Sequence, residues 1–378
     1  MRRGRQILAA IILLAVMCAC RETTAFATEP DAAEQTEELS EEQKAEQAAY
    51  EMKVDSNDWK NWPQGPGTYG EAAIVMEVGT GAILYAKNID SHQYPASITK
   101  VLTALVAMEN GQLEDPVTFS HDSVAFLKPG DSSVGLKEGN QISLEQALHA
   151  TLLASANEAA YAVGESVGIN AGHDYNWFME QMNIRCRELG GENSNFANTN
   201  GLHDENHYTC ARDMALIAKE ALSNETVRKI SGTVQYTIPA TNAYEARELK
   251  NSNYFLSGVD EELNGKQFKI EKYEGVFGGK TGYLYEDQAT MVTGLDADGL
   301  ELYCVVMGST IEGRYTDIKT LMDYGKANVS KYTAFEQGDS FGKVKLKGGA
   351  VNKVEAVAAD DGYINLPEGV SASLVTTE

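Results

Sequence analysis

Strand-forming segments occur at both ends of a mainly helical stretch, and this order limits the folds that the chain can adopt. Short apolar runs bounded by turn residues predict strands, and they lie at 72–76, 82–85, 289–296 and 300–308. Apolar residues that recur at helical spacing predict helices, and they lie at 97–109, 143–167 and 211–222. The first two strands flank Gly79-Thr80-Gly81 and the last two are joined around 296–299, so each pair predicts a hairpin.

Size and composition predict one large domain with appendages. With 378 residues, of which 43% are hydrophobic, the chain has enough apolar material for a sizeable core. After Tyr332 the pattern becomes short and alternating, with Gly-rich turns, which predicts a small β element. We therefore expect a C-terminal β-rich segment over 333–378, which is short for a core of its own and could be truncated.

The N-terminal residues are typical of an export signal. Three arginines within the first five residues precede an apolar run that ends at Cys20, and Ala25-Phe26-Ala27 has the form of a cleavage site. We predict a signal peptide over 1–27 and an exported, extracytoplasmic protein that is associated with the cell wall or the membrane. Lipid attachment at Cys18 or Cys20 is the alternative.

Negative charge dominates the rest of the chain. Between Thr28 and Glu51 there are nine Asp or Glu residues and one Lys. This segment offers no apolar stripe to bury, so we predict a solvated acidic tether over 28–64. Over the whole chain 55 acidic residues stand against 31 basic ones. Nucleic acid is excluded as a partner because binding its phosphates requires a basic surface.

Ser97-Ile98-Thr99-Lys100 is the first segment with catalytic chemistry. On a helix, this spacing places the hydroxyl of Ser97 and the amine of Lys100 on one face. Serine becomes a strong nucleophile when a neighbour takes its proton, and a lysine can do so if burial or a nearby positive charge lowers its pKa. Lys280 is the candidate for that second charge. On its own, the motif could equally be an N-capping serine and a solvated lysine.

Two further motifs carry polar groups to turns or strand edges. Ser155-Ala156-Asn157 interrupts an apolar helical stretch, and because Ser and Asn disfavour helix interiors we predict a turn that points them at a site. Gly278-Gly279-Lys280-Thr281-Gly282-Tyr283 precedes a predicted strand, where a lysine and a threonine could bind a carboxylate. A phosphate loop is excluded because Glu274 stands where that motif requires glycine. Each motif alone could be an ordinary turn.

Together the three motifs resemble those of the penicillin-recognising serine enzymes. The segments that carry the resemblance are Pro95-Ala96-Ser97-Ile98-Thr99-Lys100, Ser155-Ala156-Asn157 and Lys280-Thr281-Gly282, in that order. Within this class the chain is similar to the low-molecular-mass D-alanyl-D-alanine carboxypeptidases. Supporting segments are 134–139, 153–160, 200–202 and 208–215. The resemblance covers about residues 65–332, and 257–275 is expected to be a surface insertion.

The resemblance implies an α+β fold, in which an antiparallel sheet flanked by helices and a helical subdomain enclose the active site. It implies a serine carboxypeptidase that removes the terminal D-alanine from peptidoglycan stem pentapeptides through an acyl-enzyme. β-Lactam antibiotics are then expected to acylate the same serine. Neither a metal nor another cofactor is implied. The tail of such relatives often ends in an amphipathic membrane anchor, and membrane attachment of this chain stays open.

The resemblance also implies a role for each motif residue. Ser97 would attack the carbonyl of the penultimate D-Ala while Lys100 accepts its proton, and Ser155 would relay a proton to the leaving D-Ala. Asn157 would orient Lys100 and the substrate amide.

The residues implied in substrate binding are Lys280, Thr281, Gly282 and Tyr283. Lys280 and Thr281 would bind the terminal carboxylate. The backbone N–H groups of Ser97 and Tyr283 would form the oxyanion hole, which stabilises the charge that develops on the carbonyl oxygen.

Two other functions use the same motifs. A β-lactamase differs mainly in faster hydrolysis of the acyl-enzyme, and the β-rich tail argues against it. A non-hydrolysing β-lactam sensor or wall-binding protein would be acylated without turnover. The sequence leaves open the rate of deacylation and the choice between vegetative wall and spore cortex as the target.

Cysteines and histidines outside the motifs lead to three more expectations. An exported chain can form disulfides, and we predict one between Cys186 and Cys210. Cys304 lies in an apolar run and is expected to be a buried small hydrophobe. His203-Asp204-Glu205-Asn206-His207 has a spacing found in metal sites, but it lies in a predicted loop, where its two histidines would not face each other as on a helix. No metal site is therefore predicted.

Overall fold

The structure, a computed structural model, describes residues 40–241, 243–263, 266–284, 288–347 and 352–371, all within one compact unit. Its helices are α1 (Glu41–Glu51), α2 (Thr99–Asn110), α3 (His121–Ala125), α4 (Leu144–Leu152), α5 (Asn157–Asn170), α6 (Tyr175–Glu188), α7 (Ala211–Ser223), α8 (Glu225–Gly232) and α9 (Ile311–Ala327). Its strands are β1 (Ala72–Glu77), β2 (Ile83–Lys87), β3 (Pro116–Thr118), β4 (Gln141–Ser143), β5 (Gln235–Ile238), β6 (Arg247–Lys250), β7 (Val259–Leu263), β8 (Lys266–Ile270), β9 (Val276–Tyr283), β10 (Ala289–Ala297), β11 (Leu300–Ser309), β12 (Val329–Phe335), β13 (Ser340–Lys345), β14 (Lys353–Val357) and β15 (Gly362–Pro367).

The central sheet has five antiparallel strands in the order β2-β1-β11-β10-β9. Both predicted hairpins are present in it, since β1 pairs with β2 and β10 pairs with β11. The two hairpins join through β1 and β11, where Val75 is opposite Cys304. The expected α+β fold, an antiparallel sheet flanked by helices, is confirmed.

Alternate residues of the sheet contribute to two hydrophobic cores. In β11, Tyr303 and Val305 belong to the core that contains α2 and α7, whereas Leu302 and Cys304 belong to the core that contains α9. Because successive side chains of a strand point to opposite faces, β1 is buried along its whole length. The prediction that Cys304 is a buried strand residue is confirmed.

The predicted helices are present, with two features that matter for function. A single 3-10 turn, Ala96–Ile98, carries Ser97, and α2 begins only at Thr99. The predicted helical stretch 143–167 contains α4 and α5, which the predicted turn around Ser155 separates. A capping box at Ser143 begins α4. The sequence pattern did not predict α8 and α9.

The segment after Ser40 differs from the solvated tether that the sequence predicts over 28–64. α1 begins with a capping box at Ser40, and Val54 beyond it is buried. The ammonium of Lys87 in β2 donates a hydrogen bond of 2.7 Å to the carbonyl of Ala49. Hydrogen bonds therefore hold α1 against the rest of the domain, although α1 has little apolar surface. The spacing of apolar residues in the sequence does not predict contacts of this kind.

Short antiparallel strand pairs lie outside the central sheet. β12 pairs with β15 and β13 pairs with β14, so the alternating pattern after Tyr332 corresponds to strands. β7 and β8 form a hairpin within 257–275, where the sequence predicts a surface insertion. Its Phe268 is buried and packs edge-on against Tyr254 and Tyr315, which anchors the hairpin to the domain.

The predicted signal peptide (1–27) and residues 28–39 of the predicted tether lie outside the described residues. Among the residues that the structure describes, no helix combines the length and the apolar character needed to span a membrane.

Candidate active site

Ser97 and Lys100 form a contacting pair at the start of α2. Nζ of Lys100 lies 3.0 Å from Oγ of Ser97. Ser97 lines an open groove, whereas the side chain of Lys100 is fully buried. The predicted pairing of a hydroxyl and an amine is therefore present, and the amine is shielded from solvent.

Two acceptors fix the amine of Lys100. Nζ donates hydrogen bonds of 2.8 Å to Oδ1 of Asn157 and of 2.5 Å to the carbonyl of Asn200. Burial, followed by the positive charge of Lys280, holds the pKa of Lys100 well below its usual range, against the opposing charges of Glu158 and Asp131. A lowered pKa makes the neutral amine accessible, which is the form that can accept a proton.

The turn that carries Ser97 has an unusual backbone. Ala96 has a φ of 51°, a left-handed conformation that costs a non-glycine residue about 1 kcal/mol or more. Oγ1 of Thr290 donates a 2.8 Å hydrogen bond to the carbonyl of Pro95. Oγ1 of Thr99 donates one of 2.9 Å to the carbonyl of Ala96. Side chains from β10 and α2 therefore hold the turn in place.

Strand β9 passes directly beside Ser97. A Cβ atom at Gly282 would lie 2.9 Å from the backbone nitrogen of Ser97 and 2.2 Å from Oγ1 of Thr290, so only glycine fits here. Tyr283, the next residue, lines the groove. The backbone at 282–283 therefore runs close to that of Ser97 along the groove, and an oxyanion hole built from the N–H groups of Ser97 and Tyr283 needs this proximity.

Ser155 and Asn157 form another wall of the groove. Ser155 lies in the turn between α4 and α5 with a φ of 58°, as the poor helix propensity of its motif predicts. Asn157 is the first residue of α5, and its backbone N–H donates a 2.8 Å hydrogen bond to the carbonyl of Ser132. Both residues line the groove.

The wall is reinforced by Glu158, which is fully buried. Its Oε1 accepts hydrogen bonds from Oγ of Ser133 (2.7 Å) and from the backbone N–H groups of Val134 (2.8 Å) and Gly135 (3.1 Å). These bonds tie the loop that follows Ser132 to α5. The supporting segment 134–139 is thus part of the structure around the site.

Lys280 and Thr281 lie within β9, an edge strand of the sheet, rather than in a turn before a strand. Thr281 lines the groove, and its hydroxyl lies 2.7 Å from Oγ of Ser252. Lys280 is buried, and its Nζ donates a 2.8 Å hydrogen bond to the carbonyl of Thr281. Burial, and then the charge of Arg314, lowers the pKa of Lys280 to about 7.

Among the described residues that line the groove, Arg314 is the one with a positively charged side chain. None of the sequence motifs predicted it. It lies in the first turn of α9, is 7% exposed and donates a 2.7 Å hydrogen bond from Nη1 to the carbonyl of Gly282. An arginine in a helix is usually solvated, so only the packing of α9 against the sheet brings this one to the site.

The groove has a volume of about 320 Å³. Its lining residues are Ser97, Gly130, Asp131, Ser132, Ala154, Ser155, Asn157, Gly201, Leu202, Ser252, Thr281, Gly282, Tyr283, Leu284 and Arg314. The three predicted motifs thus meet at one cavity, although about 180 residues separate the first from the last in sequence. Besides Arg314, the contributions of 130–132 and Ser252 were missed, because neither contains a motif.

The predicted disulfide between Cys186 and Cys210 is wrong. Both are free and buried, as is Cys304. Cys210 is the N-cap of α7, where its Sγ accepts a hydrogen bond from the backbone N–H of Asp213. Burial raises the pKa of Cys186 to about 11 and that of Cys210 to about 12. The export context made a disulfide plausible, but here both thiols serve as packing groups.

His203 and His207 take separate positions in a loop, as predicted. His203 packs edge-on against Tyr94, whereas His207 is buried against Thr99. Within the described part of the chain, no group of His, Cys, Asp and Glu is arranged to hold a metal ion.

Comparison with known proteins gives consistent results at the level of sequence. The sequence model of the family described as D-alanyl-D-alanine carboxypeptidase (peptidase S11) matches residues 61–310. The D-alanyl-D-alanine carboxypeptidase DacF of Bacillus subtilis is 29% identical over 77% of this chain and 70% of its own length. DacA of Haemophilus influenzae is 28% identical over 84% of this chain and 77% of its own length.

Solved structures are similar over much of the chain. Penicillin-binding protein 5 of Haemophilus influenzae, 28% identical, superposes with a TM-score of 0.65 over 81% of this chain and 85% of its own. The DD-transpeptidase of Streptomyces K15, 27% identical, gives a TM-score of 0.62 over 70% of this chain and 100% of its own.

Proposed function

The chain belongs to the D-alanyl-D-alanine carboxypeptidase family and is a serine peptidase, and from this premise we propose that Ser97 is its nucleophile. The observation that carries the proposal is the 3.0 Å contact between the amine of Lys100 and the hydroxyl of Ser97. The buried amine has a lowered pKa and is held by Asn157. It is therefore placed to accept the serine proton.

We propose the following acylation step. Oγ of Ser97 bonds to the carbonyl carbon of the penultimate D-Ala while its proton passes to Nζ of Lys100. The carbonyl electrons move to the oxygen, which the N–H groups of Ser97 and Tyr283 stabilise. As the C–N bond breaks, the proton reaches the leaving amine through Ser155, and D-alanine departs. The ester on Ser97 is then hydrolysed by water, which restores the serine hydroxyl.

Recognition of the terminal carboxylate is assigned to Thr281 and Arg314, which both line the groove. A guanidinium and a hydroxyl form charge-assisted and neutral hydrogen bonds to a carboxylate. Lys280 was expected to contribute directly, but its burial and its hydrogen bond to the carbonyl of Thr281 favour an indirect role. In this assignment its charge acts on the pKa of Lys100.

The proposed substrates are peptidoglycan stem peptides that end in D-Ala-D-Ala, and β-lactams are the proposed covalent inhibitors. We further propose that the enzyme is exported and acts outside the cytoplasm, because residues 1–27 have the form of a signal peptide. N-terminal sequencing of the protein secreted by its host tests cleavage after Ala27.

Intact-mass analysis over time tests the proposed function. Incubation with diacetyl-Lys-D-Ala-D-Ala should release D-alanine catalytically, and penicillin should add its mass once, at Ser97. Ser97→Ala should abolish both reactions, whereas Ser223→Ala, which changes an exposed serine at the end of α7, should abolish neither. A penicillin adduct mapped to another residue would refute the assignment. Rapid hydrolysis of penicillin would favour a β-lactamase, and acylation without peptide turnover would favour a sensor.

A further inference from the structure

His207 is a buried histidine that the proposed mechanism leaves without a role. It is only 1% exposed and packs edge-on against Phe196. Its hydrogen-bond partners lie in two segments near the active site: Thr99 at the start of α2, two residues after Ser97, and Ala197 in the loop that contains Asn200. A buried polar ring that contacts both segments can determine how they sit relative to each other.

Hydrogen bonding determines the tautomer of His207. The backbone N–H of Ala197 donates a 3.0 Å hydrogen bond to Nδ1, so Nδ1 carries no proton. Burial lowers the pKa of His207 to about 4, so the ring is neutral at neutral pH and its proton is on Nε2. Nε2 lies 2.8 Å from Oγ1 of Thr99 and therefore donates to that hydroxyl.

The hydrogen-bond chain continues to the nucleophile. Because Thr99 Oγ1 accepts from His207, its own proton is available for the 2.9 Å bond that it donates to the carbonyl of Ala96. Ala96 is the left-handed residue directly before Ser97. A Cβ atom at Gly201 would lie 1.9 Å from the same carbonyl oxygen, so the loop packs closely against it.

The second arm of His207 leads to the base. Ala197 donates to Nδ1 of His207 and lies three residues before Asn200. The carbonyl of Asn200 accepts the 2.5 Å hydrogen bond from Nζ of Lys100. His207 is thus linked on one side to the turn that carries the nucleophile and on the other to the loop that holds the amine.

We propose that His207 is a positioning residue for acylation, which fixes the Ser97 turn through Thr99 and Ala96. The proposal rests on Ser97 being the nucleophile. It assigns the larger effect to the donor arm at Nε2, because a continuous chain of hydrogen bonds connects that arm to the strained residue next to Ser97. A change of a few tenths of an ångström at the nucleophile is enough to slow a reaction that depends on alignment.

Two substitutions separate the arms. His207→Gln can keep a donor near the position of Nε2, whereas His207→Asn can keep an acceptor near Nδ1 but cannot reach Thr99. The acylation rate constant at saturating penicillin should fall about tenfold in His207→Asn, the scale of one lost hydrogen bond. His207→Gln should stay within about threefold of wild type. His173→Gln, which changes an exposed histidine in the turn between α5 and α6, is the matched control and should match wild type.

Thr99 variants give a test that does not depend on the fold tolerating the histidine changes, and a double-mutant cycle then combines the two positions. Thr99→Val removes the hydroxyl at similar volume and should slow acylation about as much as His207→Asn, while Thr99→Ser keeps the hydroxyl and should recover most of the rate. The double variant should be no slower than either single variant. Additive losses, or equal rates in His207→Asn and His207→Gln, would overturn the proposal.

The melting temperature distinguishes positioning from a structural role, because both histidine variants lose one buried hydrogen bond and should melt alike. If the acylation rates simply follow the melting temperatures, His207 is structural and the proposal fails. If Ser97→Ala keeps activity, the proposed nucleophile is wrong, and the inference about His207 falls with it. If Ser97→Ala is inactive and His207→Asn acylates at the wild-type rate, only the inference about His207 fails.

Discussion

Lys100 is buried beside Lys280, and both the loss of solvent and the positive charge of Lys280 hold the pKa of Lys100 well below its usual range. A lysine that stayed protonated could not take the proton of Ser97. The two motifs that contain these lysines lie far apart in sequence, on α2 and β9. The fold therefore supplies the electrostatic condition that makes the first motif reactive.

Lys280→Gln should move the pH profile of acylation. Removing the positive charge raises the pKa of Lys100, so the neutral amine becomes available only at higher pH. In a plot of the acylation rate constant at saturating penicillin against pH, the rise on the acid side should therefore move to higher pH. This shift is expected whether or not the maximal rate also changes. Lys229→Gln, an exposed change on α8, should leave the rise in place. An unshifted rise in Lys280→Gln would show that the charge of Lys280 does not act on the base.

Lys100→Arg should abolish acylation although it places another basic side chain at this position. A guanidinium is not deprotonated in proteins, so it cannot accept the proton of Ser97. Stopped-flow measurement with a chromogenic β-lactam checks the rate, and circular dichroism checks that the variant is folded. Acylation at the wild-type rate would remove Lys100 from the mechanism.

Motif residues and strand pairs could be predicted from the sequence because their signals are local. Ser155 disfavours a helix interior, and the glycines around Lys280 can adopt backbone conformations that other residues rarely adopt. Arg314 could not be predicted, since its neighbours in sequence give no sign that α9 carries it into the groove. The pairing of Cys186 with Cys210 failed for a related reason, because their separation in sequence does not determine the direction of their side chains.

The attachment of α1 was also hidden from the sequence, and it leads to a prediction about Lys87. This ammonium is fully buried and donates to the carbonyls of Ala49, Thr68 and Gly70. Lys87→Met removes all three of these buried hydrogen bonds, so the free energy of unfolding should fall by about 3 kcal/mol. Urea denaturation measures this loss.

Trypsin provides a local readout of the same change. If Lys87 holds the segment before Gly70 on the domain, Lys87→Met should be cleaved faster at Lys53 under native conditions. Lys272→Met, which changes an exposed lysine, is the control and should retain wild-type stability and cleavage. Wild-type behaviour of Lys87→Met in both assays would mean that other contacts hold α1.

Recognition of a free C-terminus should depend on Thr281 and Arg314. A carboxypeptidase must distinguish a terminal residue from an internal bond, and the difference available to it is the carboxylate charge. An amidated D-Ala-D-Ala peptide should therefore lose kcat/KM by at least about tenfold relative to the free acid, the scale of one lost charge-assisted hydrogen bond.

Arg314→Gln and Thr281→Val should each slow turnover of the free acid more than turnover of the amide, because the amide does not use the full interaction. Thr316→Val, an exposed change on the same helix as Arg314, should preserve the wild-type ratio. Equal turnover of acid and amide by the wild type would mean that the groove does not read the carboxylate, and an endopeptidase or transpeptidase reaction would then account better for the same nucleophile.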